Sequence, residues 1–352
     1  MPQESPIKVG IIGLGRAGWG LHAVTMQQPV VAPKYKVVAV TDPITQRMEE
    51  AQATFGCRTY GSVEALLADK EVELVVVASL NDQHAAHSIA ALKAGKDVLC
   101  EKPMATSLAD ADAMLATAKQ TGRILTFDHC GRFEPAFQKV REIIASGVLG
   151  EVILIHLNSH SFRRRWDWQT LKQFGGGEMN NNASHSVDEA LQFMGDIMPK
   201  VTCDLRRTPL CAGDAEDHVK IVLTAPGVPT VDIEVSNSVA MREPHFQISG
   251  TYGGLSGGHD QLQWRYFDPT KVVERTADPK PTPDRSYNHE DLPWQEESWT
   301  APKLPMASYV GVYLSLYETM RHGAPLAITP ESVHRVIAVL EECRRQSSLY
   351  SA

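Results

Sequence analysis

The stretch VGIIGLGRAGWG, Val9–Gly20, sets glycines at 13, 15 and 18 directly behind an aliphatic run. IKVGII (Ile7–Ile12) is a short β-branched run, which suits a buried parallel strand. Behind it, Gly13 allows a tight turn. Gly15 leaves no side chain in the path of a pyrophosphate. Gly18 lets a following helix pack close, and that helix offers its unpaired N–H groups to phosphate oxygens. Glycine-rich turns are common, but this one follows a strand, opens a helix (AGWGLHAVTMQQ) and precedes a second strand that ends in an acid. The reading is a dinucleotide turn, with Gly13, Gly15, Arg16, Ala17 and Gly18 against the cofactor. Arg16 has two open readings, a phosphate contact or a solvated surface arginine.

YKVVAVTD (Tyr35–Asp42) is the second strand, and Asp42 is that acid. It comes later than the usual spacing because QPVVAPK lengthens the connection. A carboxylate there accepts from ribose hydroxyls and repels a 2′-phosphate. No Arg or Lys follows directly, since Pro43 is next, so the sequence favours NAD over NADP.

Strand and helix go on alternating. PITQRMEEAQATFG reads as a helix, VELVVVAS as a strand, DQHAAHSIAALKAG as a helix, DVLCEKP as a strand running into a loop, LADADAMLATAKQTG as a helix and RILTFDH as a strand. This alternation predicts a doubly wound parallel sheet, a Rossmann-type α/β domain over residues 1–128.

The 352 residues allow one to three domains with a sizeable core. A net charge of −8 argues against a general nucleic-acid binder. The start, MPQESPIKVG, has neither the charged nor the apolar region of a signal peptide, and no apolar run suits a membrane span. Six scattered cysteines without a CxxC pair suggest reduced, mostly buried thiols in a cytoplasmic protein.

Glu101, Lys102 and Pro103 end a parallel strand, at the sheet edge where ligands bind. GGGEMNNNASHSVDEAL (Gly175–Leu191) lies further on. With GLGRAG, SLNDQHAAHSIAALKAGKDVLCEKP and GRFEPAFQKVREIIASGVLGEV, these stretches resemble the glucose–fructose oxidoreductase, inositol dehydrogenase and MocA family (Gfo/Idh/MocA) over nearly the whole chain. The resemblance implies a Rossmann domain followed by an α/β domain, here residues 129–352, with a large, mostly antiparallel open sheet. It implies pyridine-nucleotide oxidation or reduction of a sugar, inositol or related polyol. It adds Ser79, Leu80, Asn81, His84, Glu101 and Lys102 to the cofactor-binding set. It puts Lys102 beside nicotinamide and substrate, matches His185 to the family histidine and Arg132 to a family arginine near the interdomain cleft. The family aspartate four residues before the histidine is Asn181 here.

These residue types suit the chemistry. Alcohol oxidation needs a proton acceptor while hydride leaves carbon, and imidazole titrates near neutrality. His185 is therefore the expected acid/base, against the alternative of a packing histidine. Lys102 can stabilise an alkoxide. Asn181 and His185 are four apart on one expected helix face, so Asn181 can orient the ring without lending it charge. Asn180–Asn182 also reads as a capping cluster behind Gly175–Gly177.

Past His129 the alternation breaks. EPAFQKVREIIASG reads as a helix and EVILIHLNSH as a strand. DHVKIVLTAPGVPTVDIEVSN and HFQISGTYGGLSG read as antiparallel hairpins. KPTPDRSYNHEDLPWQEESWTAPKLP reads as a long Pro-rich excursion, and two helices close the chain. His156 and His160 share a strand face, but without a Cys or carboxylate motif no metal is assigned. SFRRRWDWQTLKQF offers Arg163 and Trp166 as sugar-binding groups, beside Arg132, Asn182 and His185. Alternatively, the arginines are a solvated run or a subunit contact and the tryptophans are core. The leading expectation is an NAD-dependent sugar or cyclitol dehydrogenase with no nucleic-acid or membrane partner, forming a homodimer or homotetramer. Alternatives are a glycoside-cleaving enzyme that recycles bound NAD, or a non-catalytic sensor.

Overall fold

The computed structural model describes residues 5–350. The N-terminal sheet has six parallel strands, β1 (Ile7–Ile12), β2 (Tyr35–Thr41), β3 (Arg58–Thr59), β4 (Leu74–Val77), β5 (Asp97–Cys100) and β6 (Leu125–Phe127). Their order is β3-β2-β1-β4-β5-β6, so the winding reverses between β1 and β4. Val9, Ile11, Val75 and Val76 are fully buried because helices cover both faces. Each such side chain contributes roughly 1.5–3 kcal/mol by leaving water. The helices are α1 (a π turn, Gly18–Ala23, continuing into Val24–Met26), α2 (Thr45–Phe55), α3 (Val63–Leu67), α4 (His84–Lys93) and α5 (Leu108–Thr121). Ser107 caps α5 by accepting from Asp110 N, and Gly56 and Gly122 end α2 and α5 in the left-handed conformation. The expected alternation holds. β3 and α3 are additions, too short to give a periodic signal.

After α6 (Pro135–Ala145) come β7 (Val152–His160), α7 (a π turn, Met179–Ala183, then Ser184–Met194), β8 (Lys200–Arg206), β9 (His218–Thr224), β10 (Thr230–Ser236), β11 (Phe246–Gly250), β12 (Gly253–Gly257), β13 (Gln261–Tyr266), β14 (Gln295–Thr300), α8 (Ala307–His322) and α9 (Pro330–Gln346). The eight strands are ordered β14-β13-β12-β11-β7-β10-β9-β8. β7 and β10 pair in parallel, and the other neighbours are antiparallel. β8, β13 and β14 have no counterpart in the sequence reading. β14 lies inside the expected Pro-rich excursion, which corrects that expectation for Gln295–Thr300. Its run QEESWT lacks β-branched aliphatics, and β13 supplies the order by setting Leu262 opposite Trp299.

One face of this sheet is covered by α6, α7 and α9, through Phe137, Val187, Leu191 and Leu340 among others. The opposite face is an open groove lined by His156, Gln247, Gln263, Arg265 and Glu297. On it, His156 stands 3.5 Å from Asp232 and His160 stands 3.3 Å from Glu234, so each histidine already faces a carboxylate of β10.

The first sheet ends with β6 at Phe127 and the second begins with β7 at Val152, while the closing helices pack against both. Val312, Tyr313, Leu316 and Tyr317 of α8 join the N-terminal core. α9 lends Val333 and Ile337 to that core and Val336 and Leu340 to the other. The six cysteines are free thiols, five of them buried. Among the described residues no helix is long and apolar enough to cross a membrane.

Candidate active site

The three glycines of the first turn meet three different surroundings. Gly13 has φ +90°, and a Cβ there would stand 2.4 Å from the Ala78 carbonyl oxygen. Gly18 would drive a Cβ to 1.9 Å from the Gly13 carbonyl oxygen. Gly15 faces open space, with an Arg47 nitrogen 4.0 Å away as its nearest neighbour. Two glycines are thus required by packing, and the third leaves the gap that a phosphate needs. Arg16 is exposed beside it and Ala17 half-buried. This cradle fits a dinucleotide.

Asp42 is buried behind the turn. Its oxygens accept from Leu14 N at 2.7 Å and Ile44 N at 2.8 Å, and Arg47 Nη1 lies 3.5 Å away. The carboxylate ties the glycine turn to the end of β2. A carboxylate offers about four lone-pair sites, so acceptor capacity is left for a ribose. Arg47, beyond the reach of the sequence reading, brings a cation to the same corner.

Ser79 and Leu80 lie half-buried past β4. Asn81 is buried and donates to Gly175 O at 2.8 Å, joining this loop to the second glycine run. His84 is buried between Pro103 O (2.8 Å) and Ser79 O (3.2 Å) and so holds two strand-end loops together. Glu101 turns inward. Its Oε1 is 3.1 Å from His22 Nε2, and its Oε2 accepts from Lys102 N at 3.1 Å. His22 also meets Tyr313 Oη at 2.9 Å and lies 3.8 Å from Asp128. Among the described residues His22, Glu101 and Asp128 are the one group whose ligand-type atoms all lie within 4.8 Å of one another. Burial opposes protonation of His22, but Glu101 and Asp128 outweigh it and leave the imidazole above its ordinary value. Burial and the Glu101 charge push Asp128 up to about 7.

Lys102 leaves this acidic group for the cleft, where its ammonium donates to the Asn181 carbonyl oxygen of α7. Burial lowers its basicity, with Glu101 opposing. His185 stands on the same helix, partly open, beside Lys102 and the ring of His129. Burial, the Lys102 charge and His129 hold His185 well below its ordinary value. Asn181 does not make the expected bond to His185. Its Nδ2 reaches Gln169 O at 3.4 Å, and its buried Oδ1 has no partner among the described residues. The spacing argument assumed 3.6 residues per turn, and the π turn Met179–Ala183 breaks that register.

The expected substrate residues divide. Arg132 is buried in a bidentate pair with Asp188, at 2.8 and 2.5 Å, and also donates to Ser332 Oγ at 3.0 Å. It clamps α7 to the loop after β6 and to the start of α9. Arg163 donates to Asn237 Oδ1 at 2.8 Å and lies 3.5 Å from the buried Glu178 carboxylate, which also accepts from Asn182. Trp166 is 80% exposed, so it is not core.

Two family descriptions match, "Oxidoreductase family, NAD-binding Rossmann fold" over residues 7–129 and "GFO/IDH/MocA C-terminal domain" over residues 137–256. The chain belongs to the Gfo/Idh/MocA family. It is 24% identical over 360 residues to scyllo-inositol 2-dehydrogenase (NADP(+)) IolW of Bacillus subtilis (strain 168), covering 97% of this chain and 94% of that one. It is 31% identical over 186 residues to 1-carboxy-3-chloro-3,4-dihydroxycyclohexa-1,5-diene dehydrogenase of Comamonas testosteroni, and that match spans 52% of this chain and 46% of the relative. An oxidoreductase of Thermotoga maritima superposes with a TM-score of 0.79 at 21% identity, over 98% of this chain and 97% of that one, which shows the shared fold. The chain is thus an NAD(P)-dependent oxidoreductase of the Gfo/Idh/MocA family.

Within this Gfo/Idh/MocA fold, sequence reasoning passed over His22, Arg47, Asp128, His129 and Asp188. A signal existed for two of them. Asp128 and His129 directly follow β6, so the strand-end rule that selected Lys102 selects them too. His22, Arg47 and Asp188 lie inside helices, and only packing reveals what they face.

Proposed function

We propose that the protein transfers hydride between a hydroxyl-bearing carbon of a sugar, inositol or related polyol and a nicotinamide dinucleotide. His185 serves as acid/base and Lys102 assists. The observation that carries this reading is the meeting of Lys102, from the parallel sheet, with α7 of the second domain, which brings an ammonium and a neutral imidazole into one cleft at the strand ends. The glycine turn, Asp42, Ser79, Leu80 and Asn81 would hold the dinucleotide, with His84 and Glu101 supporting its loops. When bound, that group accepts or donates the hydride. His185, uncharged near neutrality, takes the hydroxyl proton in oxidation and returns it in reduction. Lys102 has donors left beyond its bond to Asn181 and stabilises the developing alkoxide. Arg163, Asn182 and Trp166 form the substrate side, and Arg132 keeps α7 in place.

For the cofactor we propose NAD. The Asp42 carboxylate keeps acceptor capacity for ribose hydroxyls, and Arg47 weakens its rejection of a 2′-phosphate. The open face of the second sheet supports assembly into a homodimer or homotetramer. Localisation in the cytoplasm rests on the cysteine usage.

The test begins with heat-denaturing the purified protein and identifying the released nucleotide by mass spectrometry. A polyol and sugar panel is then followed by nicotinamide absorbance. Reduction of NAD by a polyol is the expected result. Release of NADP overturns the Asp42 argument. Reducing sugar without net change in the dinucleotide favours the recycling glycoside-cleaving reading, and binding without turnover favours a sensor.

A further inference from the structure

The cleft holds a second imidazole that the reading above leaves idle. His129 follows β6 at the same sheet edge as Lys102 and is only 1% exposed. Neither of its ring nitrogens has a hydrogen-bond partner among the described residues. Buried polar atoms are rarely left so, and an unpartnered imidazole in a cleft is available to act on something. Its Nδ1 lies 3.7 Å from Asp188 Oδ2, a carboxylate that Arg132 fixes from the other side. Its ring stands edge-on to His185, with centroids 5.9 Å apart and planes at 75°.

A proton removed from a substrate hydroxyl must rest where positive charge is tolerated. At His185 the neighbours are the Lys102 ammonium and the His129 ring, with no carboxylate among them. At His129 burial lowers the ring below its ordinary value, but the Asp188 carboxylate favours the charged form and Glu101 adds to it, while Arg132 and Lys102 oppose. The carboxylate that His185 lacks stands instead at 188, beside the other ring.

We propose that His185 and His129 form one proton-handling pair, in which His185 faces the substrate hydroxyl and His129, seated on Asp188, receives the proton. The proposal rests on the dehydrogenase reading. In the oxidation direction the substrate C–H bond breaks with its electron pair, which leaves as hydride for an oxidised nicotinamide dinucleotide. The O–H bond breaks, the carbon becomes a carbonyl, and the proton goes to His185. An N–H bond forms on His129 as His185 gives up its proton across a bridging water, since the two rings share no direct hydrogen bond, and solvent finally takes it. Reduction runs the same steps backward. His129 acts through His185 and is a positioning residue in that sense.

The first experiment labels the histidines at Cε1 with ¹³C in the cofactor-free protein and follows the ring signals by NMR from about pH 8 to about pH 5, the interval in which imidazole titrates. His129→Gln and His185→Gln assign the two rings. His129 is expected to titrate at the higher pH, and Asp188→Asn to lower its titration by about one unit. His129 titrating at or below His185 overturns the proposal. Should Asp188→Asn fail to fold, the order of the two rings in the wild-type protein decides alone.

The second experiment is kinetic. With cooperative unfolding and dinucleotide binding as controls, His129→Gln is expected to lower kcat about 10²-fold, leave KM within about threefold and move the acidic limb of the pH–rate profile. A loss under about threefold with an unmoved limb overturns the pairing. Failure of the dehydrogenase reading looks different, since the wild-type protein would then turn over no polyol while the ring titrations still report on His129.

Discussion

His22 contacts Glu101 and His185 stands beside the next residue, Lys102, yet the two imidazoles are shifted in opposite directions. His22 lies in the Rossmann core against Glu101 and Asp128, which raise it above the ordinary imidazole value. His185 lies in the cleft against Lys102 and His129, and it is pushed well below that value. Burial opposes the charged ring in both places, so the difference comes from the neighbours. The core's carboxylates favour the charged form of its imidazole. The cleft leaves its imidazoles neutral and free to accept a proton.

The largest test of this contrast removes the charge between the two regions. Lys102→Met is expected to lower kcat about 10³-fold, or about 4 kcal/mol of transition-state stabilisation, and to let His185 titrate at a higher pH. Rate assays and ring NMR check the two halves separately, and an unmoved His185 would break the contrast. Next in size is Glu101→Gln, which strips His22 of its nearest carboxylate. Breaking a buried pair costs about 3 kcal/mol, read by urea unfolding near neutral pH.

The same variant sharpens the pH dependence. The raised His22 contributes stability that is full below an unfolded value near 6.5 and is lost as pH rises through its folded value. The depressed His84, His129 and His185 act in the opposite sense. The unfolded chain protonates them first, so their effect is to lower stability as pH falls below about 6.5. In Glu101→Gln burial is left opposing the charged form of His22, which joins the depressed rings. Stability should therefore drop more steeply than in the wild-type protein as pH falls below about 6.5, and parallel profiles would count against the assignment.

A smaller effect is expected from Asn181→Asp. It adds a negative charge to α7 on a side chain that turns to Gln169 rather than to the His185 ring, so it should raise the His185 titration and the acidic limb of the rate profile only through space, by under about one unit. The smallest belongs to Arg47→Ala. Removing that exposed guanidinium should strengthen the preference for NAD over NADP by only a few-fold, under about 1 kcal/mol, as measured by kcat/KM with each dinucleotide.

Much of the first domain was legible, because each of its devices is local. Gly13, Gly15 and Gly18 declare their roles by spacing, and the aliphatic runs of β1, β2 and β4 declare burial on both faces. The second sheet was legible where apolar residues alternate, as in β9 and β10, and silent in β14, whose strand character comes from pairing with β13. Lys102 and His185 could be picked out because they sit in recognisable stretches. What they face could not be. The bond of Lys102 to the Asn181 carbonyl spans 79 positions in the chain, and the Glu101–His22 contact also spans 79. Arg132 was chosen for the substrate and is found clamped on Asp188.

The sequence by itself determined the parallel sheet, the dinucleotide turn and the identity of the chemical groups, since these follow from short-range periodicity and backbone geometry. Only the tertiary structure decided which of those groups are charged. Protonation depends on burial and on neighbours a few ångströms away, and folding brings those neighbours together from distant parts of the chain.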